Sequence, residues 1–287
     1  MAQIAENTMA EYDKSSKWLI QHHGDSILRL AQVRDIESWR ALQAELVQPR
    51  QLPDGLIEAR IRGQAEAHLF LVEVATYPER RLVEQVFGDV ALAWLNRRVL
   101  PEVLVLVLHP KGKLQAVDSA NLQSPLGWTQ WHARWRVVEL WTIPAEELLA
   151  AKEPGLVPWV PLAQITGPPD PIFQQCRDLI DRQTPTQDRA NLLAVTQVLS
   201  KLRYNDPRLL TILGGRKTMI ESPLIQELLA EQMHATILDA LEVRFGPVPQ
   251  DMAAAVQAIQ EEQRLKELHK FAVGCADLSL FRARLQS

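Results

Sequence analysis

The chain has 287 residues, 47% of them apolar and 23% charged, with 12 Gly and 18 Pro. These near-average values exclude a collagenous, low-complexity or wholly disordered chain. Thirty-one Lys and Arg against 35 Asp and Glu give a net charge of −4. Residues 1–167 hold 17 basic and 20 acidic side chains and the remainder 14 and 15, so neither half is a strongly basic polyanion binder, and any phosphate contact has to come from a local patch.

At roughly 150 residues per domain, the length suits one large domain or two modest ones. Cys176 and Cys275 stand far apart, which excludes a disulfide framework or a zinc knuckle and fits a reducing compartment. Met1 to Lys17 is polar and lacks the apolar core of a signal peptide. No uninterrupted apolar run is longer than Val103 to Leu108, far short of the roughly 20 residues of a membrane helix. A cytoplasmic protein without a membrane partner is expected.

In chain order, Lys14 to Ala31 reads as a helix (Trp18, Leu19, Ile27, Leu28, Leu30) and Trp39 to Val47 as a strand. After a loop at Pro49 to Pro53, Gly55 to Arg62 and Ala67 to Thr76 form a β-hairpin around Gly63-Gln-Ala-Glu66. Pro78 opens a helix with an apolar stripe of Leu82, Val83, Val86, Val90, Ala93 and Trp94. Val103 to Leu108 and Val137 to Thr142 supply two further strands. The Pro-rich stretch Thr166-Gly-Pro-Pro-Asp-Pro171 reads as a linker between an α/β domain (1–167) and a helical C-terminal region (168–287). Helices are expected there at Pro171 to Arg182, Asp188 to Arg203, Pro207 to Leu213 and Pro223 to Phe245. Gly246-Pro-Val-Pro249 stops the last of these, and Gln250 to Val273 and Asp277 to Leu285 follow.

The segment richest in chemistry is Pro53-Asp54-Gly55 with, across the hairpin, Leu71-Val-Glu73-Val-Ala75. If Leu56 lies opposite Glu73, Asp54 lies opposite Ala75 and the turn falls at Gln64-Ala65. Asp54 and Glu73 then share one face of the sheet, because side chains alternate along strands. Two carboxylates converging there make an all-oxygen site suited to Mg²⁺ or Mn²⁺, which could polarise a phosphodiester and generate hydroxide from water. The structural alternative is that Pro-Asp-Gly is a turn in which Asp54 caps its own backbone and Glu73 pairs with Arg60 or Arg62. A carboxylate interrupting the apolar run Leu69 to Val74 argues for a purpose, since burying one unpaired is unfavourable.

Other patterns carry less. Leu213-Gly-Gly-Arg-Lys-Thr218 echoes a phosphate loop without the upstream glycine or a preceding strand, and reads as a helix cap or turn. His22 and His23 are adjacent on a helix and point apart, so they do not share a metal. Trp128, Trp131, Trp135 and Trp141 interleave with Arg134 and Arg136, as in an amphipathic strand pair that buries its tryptophans, or as a surface that stacks bases.

The order of elements, with Tyr12-Asp13 leading into the first helix, Leu52-Pro-Asp54-Gly, Leu69-Phe-Leu-Val-Glu73-Val-Ala-Thr-Tyr77-Pro and the strand Leu104-Val-Leu-Val-Leu108, resembles the PD-(D/E)XK nuclease superfamily. Within it, the chain is most similar to the recombination-promoting nuclease (Rpn) and transposase-like group. Leu238-Asp-Ala-Leu-Glu-Val-Arg244-Phe-Gly-Pro-Val-Pro249 through Leu285 is similar to a small helical domain of unknown function, here residues 230–287, that follows such nucleases. The resemblance implies a restriction-endonuclease-like mixed sheet flanked by helices and a metal-dependent DNA endonuclease activity. It implies Asp54, Glu73 and the Val74 carbonyl as ligands to Mg²⁺ or Mn²⁺, with Asp13 or Glu58 as a further carboxylate. The chain departs from the pattern at Ala75, where such enzymes carry lysine or glutamine. Arg60 on the second strand, with Gln85 and Arg81 on the following helix, are the substitutes read from sequence, and Arg80, Arg81, Arg97 and Arg98 are the side chains expected to grip DNA. Ala75 and the acidic balance leave open a second class of function, a non-catalytic interaction or assembly module on an inactivated nuclease fold. Cutting both strands of a duplex takes two sites, so a homodimer is open to either reading.

Overall fold

The structure, a computed structural model, describes residues 12, 14–42, 53–79, 81–125, 127 and 129–286. Asp13, Arg80, Leu52 and Trp128 lie outside the described residues. The chain divides after Gly215 into two compact units.

The first unit is an α/β fold around a five-stranded mixed sheet of order β1-β2-β3-β4-β7. Strands β1 (Ile36–Leu42), β2 (Gly55–Ile61) and β3 (Ala67–Ala75) pair antiparallel, and β3, β4 (Glu102–Val107) and β7 (Arg136–Glu139) pair parallel. Leu104 to Val107 are at most 1% exposed, as expected of a central parallel strand covered on both faces. Helix α3 (Arg81–Arg97) is the crossover between β3 and β4, and its stripe of Leu82, Val86, Phe87, Val90 and Ala93 packs on Leu56, Leu69, Leu71, Val105 and Val107. The other face meets α1 (residues 14–22) and α2 (Gly24–Leu30). Bare glycine backbone makes that approach close: a Cβ on Gly24 would lie 2.9 Å from both Ile57 and Trp39, and one on Gly55 only 2.1 Å from Ile20 Cγ2.

Beyond β7 the chain adds α4 (Ala145–Ala150) and a 3₁₀ stretch, Pro154–Leu162, in which Trp159 and Val160 are fully buried. Helices α5 (Asp170–Gln183) and α6 (Thr186–Ser200) pack on that stretch, so the Pro-rich segment at 166–171 joins elements of one unit and the division falls later in the chain. Helices α7 (Pro207–Ile212) and α8 (Gly215–Glu221) meet at Gly214 and Gly215, both at positive φ, which makes the glycine pair of the phosphate-loop echo a helix-to-helix turn.

The second unit contains α9 (Pro223–Phe245), α10 (Gln250–Gln257), α11 (Glu262–Gly274) and α12 (Leu278–Gln286), packed around Ile237, Leu241, Leu265, Leu268 and Phe281. The Arg244 guanidinium donates to the carbonyls of Ala272 and Cys275, satisfying acceptors at the end of α11. Among the described residues no helix is long and apolar enough to cross a membrane.

Two expectations change. The first helix is broken at His23, whose backbone leaves helical geometry just before Gly24 packs on Ile57. The helix read over Gln250 to Val273 is two, because the chain turns at Ile259 to let its carbonyl accept a hydrogen bond from His234 Nε2 at 2.7 Å. The amphipathic strand pair read around the tryptophans is the hairpin β5 (Ser119–Gln123) and β6 (Gln130–Arg134), whose residues are mostly exposed. Trp135 ends that hairpin, buried with Nε1 donating to Val117 O at 2.7 Å, while Trp131 rests edge-on against Phe87. The strand read to Val47 is described only to Leu42.

Gly55→Ala is expected to destabilise the first unit by about 1–3 kcal/mol, the usual range for overpacking a filled contact. Urea unfolding followed by tryptophan fluorescence measures it. An unchanged midpoint would show that Ile20 moves aside freely and that α1 is not seated by this glycine.

Candidate functional site

The hairpin register brings the two sequence-predicted carboxylates closer than the sequence reading had them. Leu56 pairs with Leu71, not Glu73, and Gly55 with Val72, so Asp54, continuing the ladder, stands beside Glu73. The register thus differs from the expected one by two residues, which leaves side-chain parity intact. The turn accordingly centres on Gly63 (φ +83) and Gln64, with Gln64 N–H donating to Ile61 O.

The next position in the ladder sets Pro53 opposite Val74. Proline has no N–H to offer the Val74 carbonyl, and the Val74 N–H donates to Asp54 Oδ2 at 2.8 Å. Leu108 N–H donates to Ala75 O, so the Ala75 carbonyl faces β4, and the Val74 carbonyl, alternating with it, faces the Asp54 side. Asp54 Oδ1 lies 3.6 Å from Lys17 Nζ, which reaches across from α1.

Glu73 is 4% exposed, and its Oε1 is buried without a hydrogen-bond partner among the described residues. Asp89, buried on α3, presents its carboxyl to Glu73 within hydrogen-bonding reach. Burial holds the Glu73 carboxyl well above the usual carboxylate range, and the negative charges of Asp54 and Asp89 push it the same way. Burial also raises Asp89, while its bond to Glu73 acts against the rise. Among the described residues the site therefore brings three carboxyls together with one ammonium.

Several sequence-predicted residues are elsewhere. Arg60 pairs with Ala67, six residues along β3 from Glu73, which at about 3.4 Å per residue is roughly 20 Å away. Arg62 follows it at the hairpin turn, and neither pairs with Glu73. Glu58 lies opposite Leu69 and is bound by Arg40 at 2.9 Å. Gln85 is exposed one helical turn before Asp89, and Arg81 is exposed at the start of α3. Asp13 lies outside the described residues.

Two residues escaped the sequence reading. Asp89 had a signal: it is an acid inside the stripe Leu82, Val86, Val90, Ala93, as Glu73 is inside its strand. Lys17 had none, because only the packing of α1 across the sheet brings it to Asp54.

Among the described residues no group of three or more His, Cys, Asp and Glu is disposed to hold a metal ion. The donors that do converge are two carboxylates and a backbone carbonyl, all hard oxygen. Mg²⁺ is commonly bound through one or two carboxylates with water in its remaining positions, and the unpartnered Glu73 Oε1 is an acceptor such an ion would satisfy. The residues fit an open magnesium or manganese site rather than a closed cage.

A carboxyl whose pKa rises on folding binds more protons folded than unfolded, so it lowers stability as pH climbs from its unfolded value toward its folded one. In metal-free buffer the wild type is expected to lose stability across that window. Glu73→Gln should lose less and be the more stable protein at neutral pH. Urea unfolding at a series of pH values measures this, and parallel curves for the two proteins would show that Glu73 is charged and compensated in the fold.

Comparison with family models, with curated proteins and with solved structures finds no match to this chain.

Proposed function

We propose that the protein is a metal-dependent DNA phosphodiesterase, an endonuclease of the PD-(D/E)XK and Rpn type, with its site at the Asp54–Glu73 end of the sheet. The observation that carries this reading is the approach of Asp54 to Glu73 at the end of the hairpin, with a buried Glu73 oxygen that no group among the described residues satisfies. The antiparallel hairpin leading through a crossover helix to a parallel strand supports a restriction-endonuclease-like architecture for the first unit.

Asp54, Glu73 and the Val74 carbonyl would hold Mg²⁺ or Mn²⁺, which when bound polarises the scissile phosphodiester and lowers the pKa of an attacking water. The Val74 N–H fixes the Asp54 carboxylate in one orientation, so the ligand is set before substrate arrives. Ala75 has no polar atom to give. Lys17, beside Asp54, takes the place of the missing cation and stabilises negative charge developing on the phosphate. Its ion pair joins side chains 38% and 16% exposed, where such pairs contribute little to stability, so the lysine's value lies in the site.

The second reading, a non-catalytic assembly module that has lost its chemistry, draws on Ala75 and on the net charge of −4. Plasmid cleavage by purified protein in Mg²⁺ or Mn²⁺ separates the two. Asp54→Ala and Glu73→Ala are expected to abolish cleavage, and Lys17→Ala to lower the rate by on the order of 10²–10³, the usual effect of deleting a positioned electrostatic group. Cleavage that survives in both carboxylate variants would sink the assignment. Absence of cleavage together with absence of Mg²⁺ and Mn²⁺ binding by calorimetry would favour the assembly module.

A further inference from the structure

At the end of the sheet where Asp54 and Glu73 meet, the loops that follow β3 and β4 are tied to each other. The β3–β4 ladder continues past both strands, with Leu108 N–H donating to Ala75 O and His109 N–H to Thr76 O, each at 2.9 Å. The Tyr77 ring stands edge-on to His109 at 5.8 Å, and Lys111 Nζ sits over that ring at 5.5 Å. The chain then makes a tight turn: Gly112 takes φ +61, and Leu114 N–H donates to Lys111 O. Lys111 meets Glu79 at 3.8 Å between exposed side chains, a pairing worth little in water. Lys113 is exposed and has no charged partner among the described residues.

The carboxylates are therefore flanked on both sides. Lys17 lies on the β2 side, and Lys111 and Lys113 lie beyond the end of β4, with β2 and β4 about 10 Å apart as second neighbours in the sheet. Of the arginines expected from sequence to grip DNA, Arg80 lies outside the described residues, Arg81 stands at the start of α3, and Arg97 and Arg98 are placed differently. Helix α3 runs from the end of β3 back to the start of β4, so Arg97 and Arg98 lie at the opposite end of the sheet, where Arg98 stacks on Trp94 at 5.3 Å. In a chain of net charge −4, a polyanion is held where cations are local, and the lysines bracket the one place where a phosphate would meet the carboxylates.

We infer that a DNA strand docks along this end of the sheet, its backbone passing from Lys17 over the tip of β3 to the 111–114 turn, with Lys111 and Lys113 neutralising phosphates on the far side of Asp54 and Glu73. The inference rests on the phosphodiesterase reading of those carboxylates. Each lysine–phosphate contact releases counterions and adds about 0.9 to the slope of log affinity against log salt.

Fluorescence anisotropy of a short labelled DNA duplex in EDTA, over a series of salt concentrations, tests it with the full chain. Lys111→Ala/Lys113→Ala should weaken binding and lower the slope by about 2, while Lys111→Arg/Lys113→Arg retains it. Arg97→Ala/Arg98→Ala should bind as wild type does. An unchanged slope in the lysine-to-alanine pair, dependence on Arg97 and Arg98 instead, or no binding at low salt overturns the docking surface. Because the assay contains no metal ion, lysine-dependent binding without later cleavage in Mg²⁺ or Mn²⁺ would keep the surface and overturn the phosphodiesterase reading.

Discussion

A proline nitrogen has no hydrogen to give, so the antiparallel ladder between β2 and β3 stops where Pro53 would stand opposite Val74. The Val74 carbonyl thereby loses its ladder donor, and the Val74 N–H donates to Asp54 Oδ2 at 2.8 Å in place of a strand carbonyl. One hydrogen bond therefore ends the pairing, fixes the aspartate and leaves the Val74 carbonyl facing the same opening. It also determines how near the carboxylates come, because Asp54 is held at the level of Glu73 and not beyond it.

Such an arrangement is unfavourable unless the surrounding layers enforce it. Glu73 sits between apolar neighbours on β3 and β4 and beneath α3, with Asp89 pressed against it, and burial alone drives it toward the protonated form. The apolar stripe of α3 packs on Leu56, Leu71, Val105 and Val107 and holds the helix over the acids regardless of their charge. On the opposite face, Gly24 lets α2 approach Ile57 and Trp39 and Gly55 lets Ile20 of α1 approach β2, and that approach delivers Lys17 to the end of β2. The packing of the whole first unit thus supports an electrostatic imbalance in one small volume.

Much of the framework could be read from residue periodicity. The helix over Pro223 to Phe245 and the strand core Leu104 to Val107 fall where periodicity and caps place them. The hairpin was legible as well, because Gly63 supplies a positive-φ turn between two strand-like runs. The β5–β6 hairpin was legible only as an amphipathic strand pair without bounds: it is held by its contact with α3 through Trp131 and by the hydrogen bonds of Trp135 with the 117–118 segment, none of which leaves a periodic trace. The buried 3₁₀ stretch Pro154–Leu162 is another case, since its prolines read as loop while the packing of α5 and α6 makes it core.

The carboxylate pair itself was set by local chemistry. A Pro-Asp-Gly entering one strand and a glutamate inside the next apolar strand place two acids on one face in any register of even offset, because side-chain direction repeats every two residues. Which even offset holds depended on where the turn closed, whereas Arg60 is kept from Asp54 by six residues of the same strand in any register. The cations were decided by the fold alone: Lys17 comes from a helix separated from Asp54 by an entire strand, and Lys111 and Lys113 from a turn anchored by the parallel pairing of β3 and β4. Alternation along a strand is a property of consecutive residues and can be read from them, whereas contacts between elements distant in sequence exist only once the layers have packed.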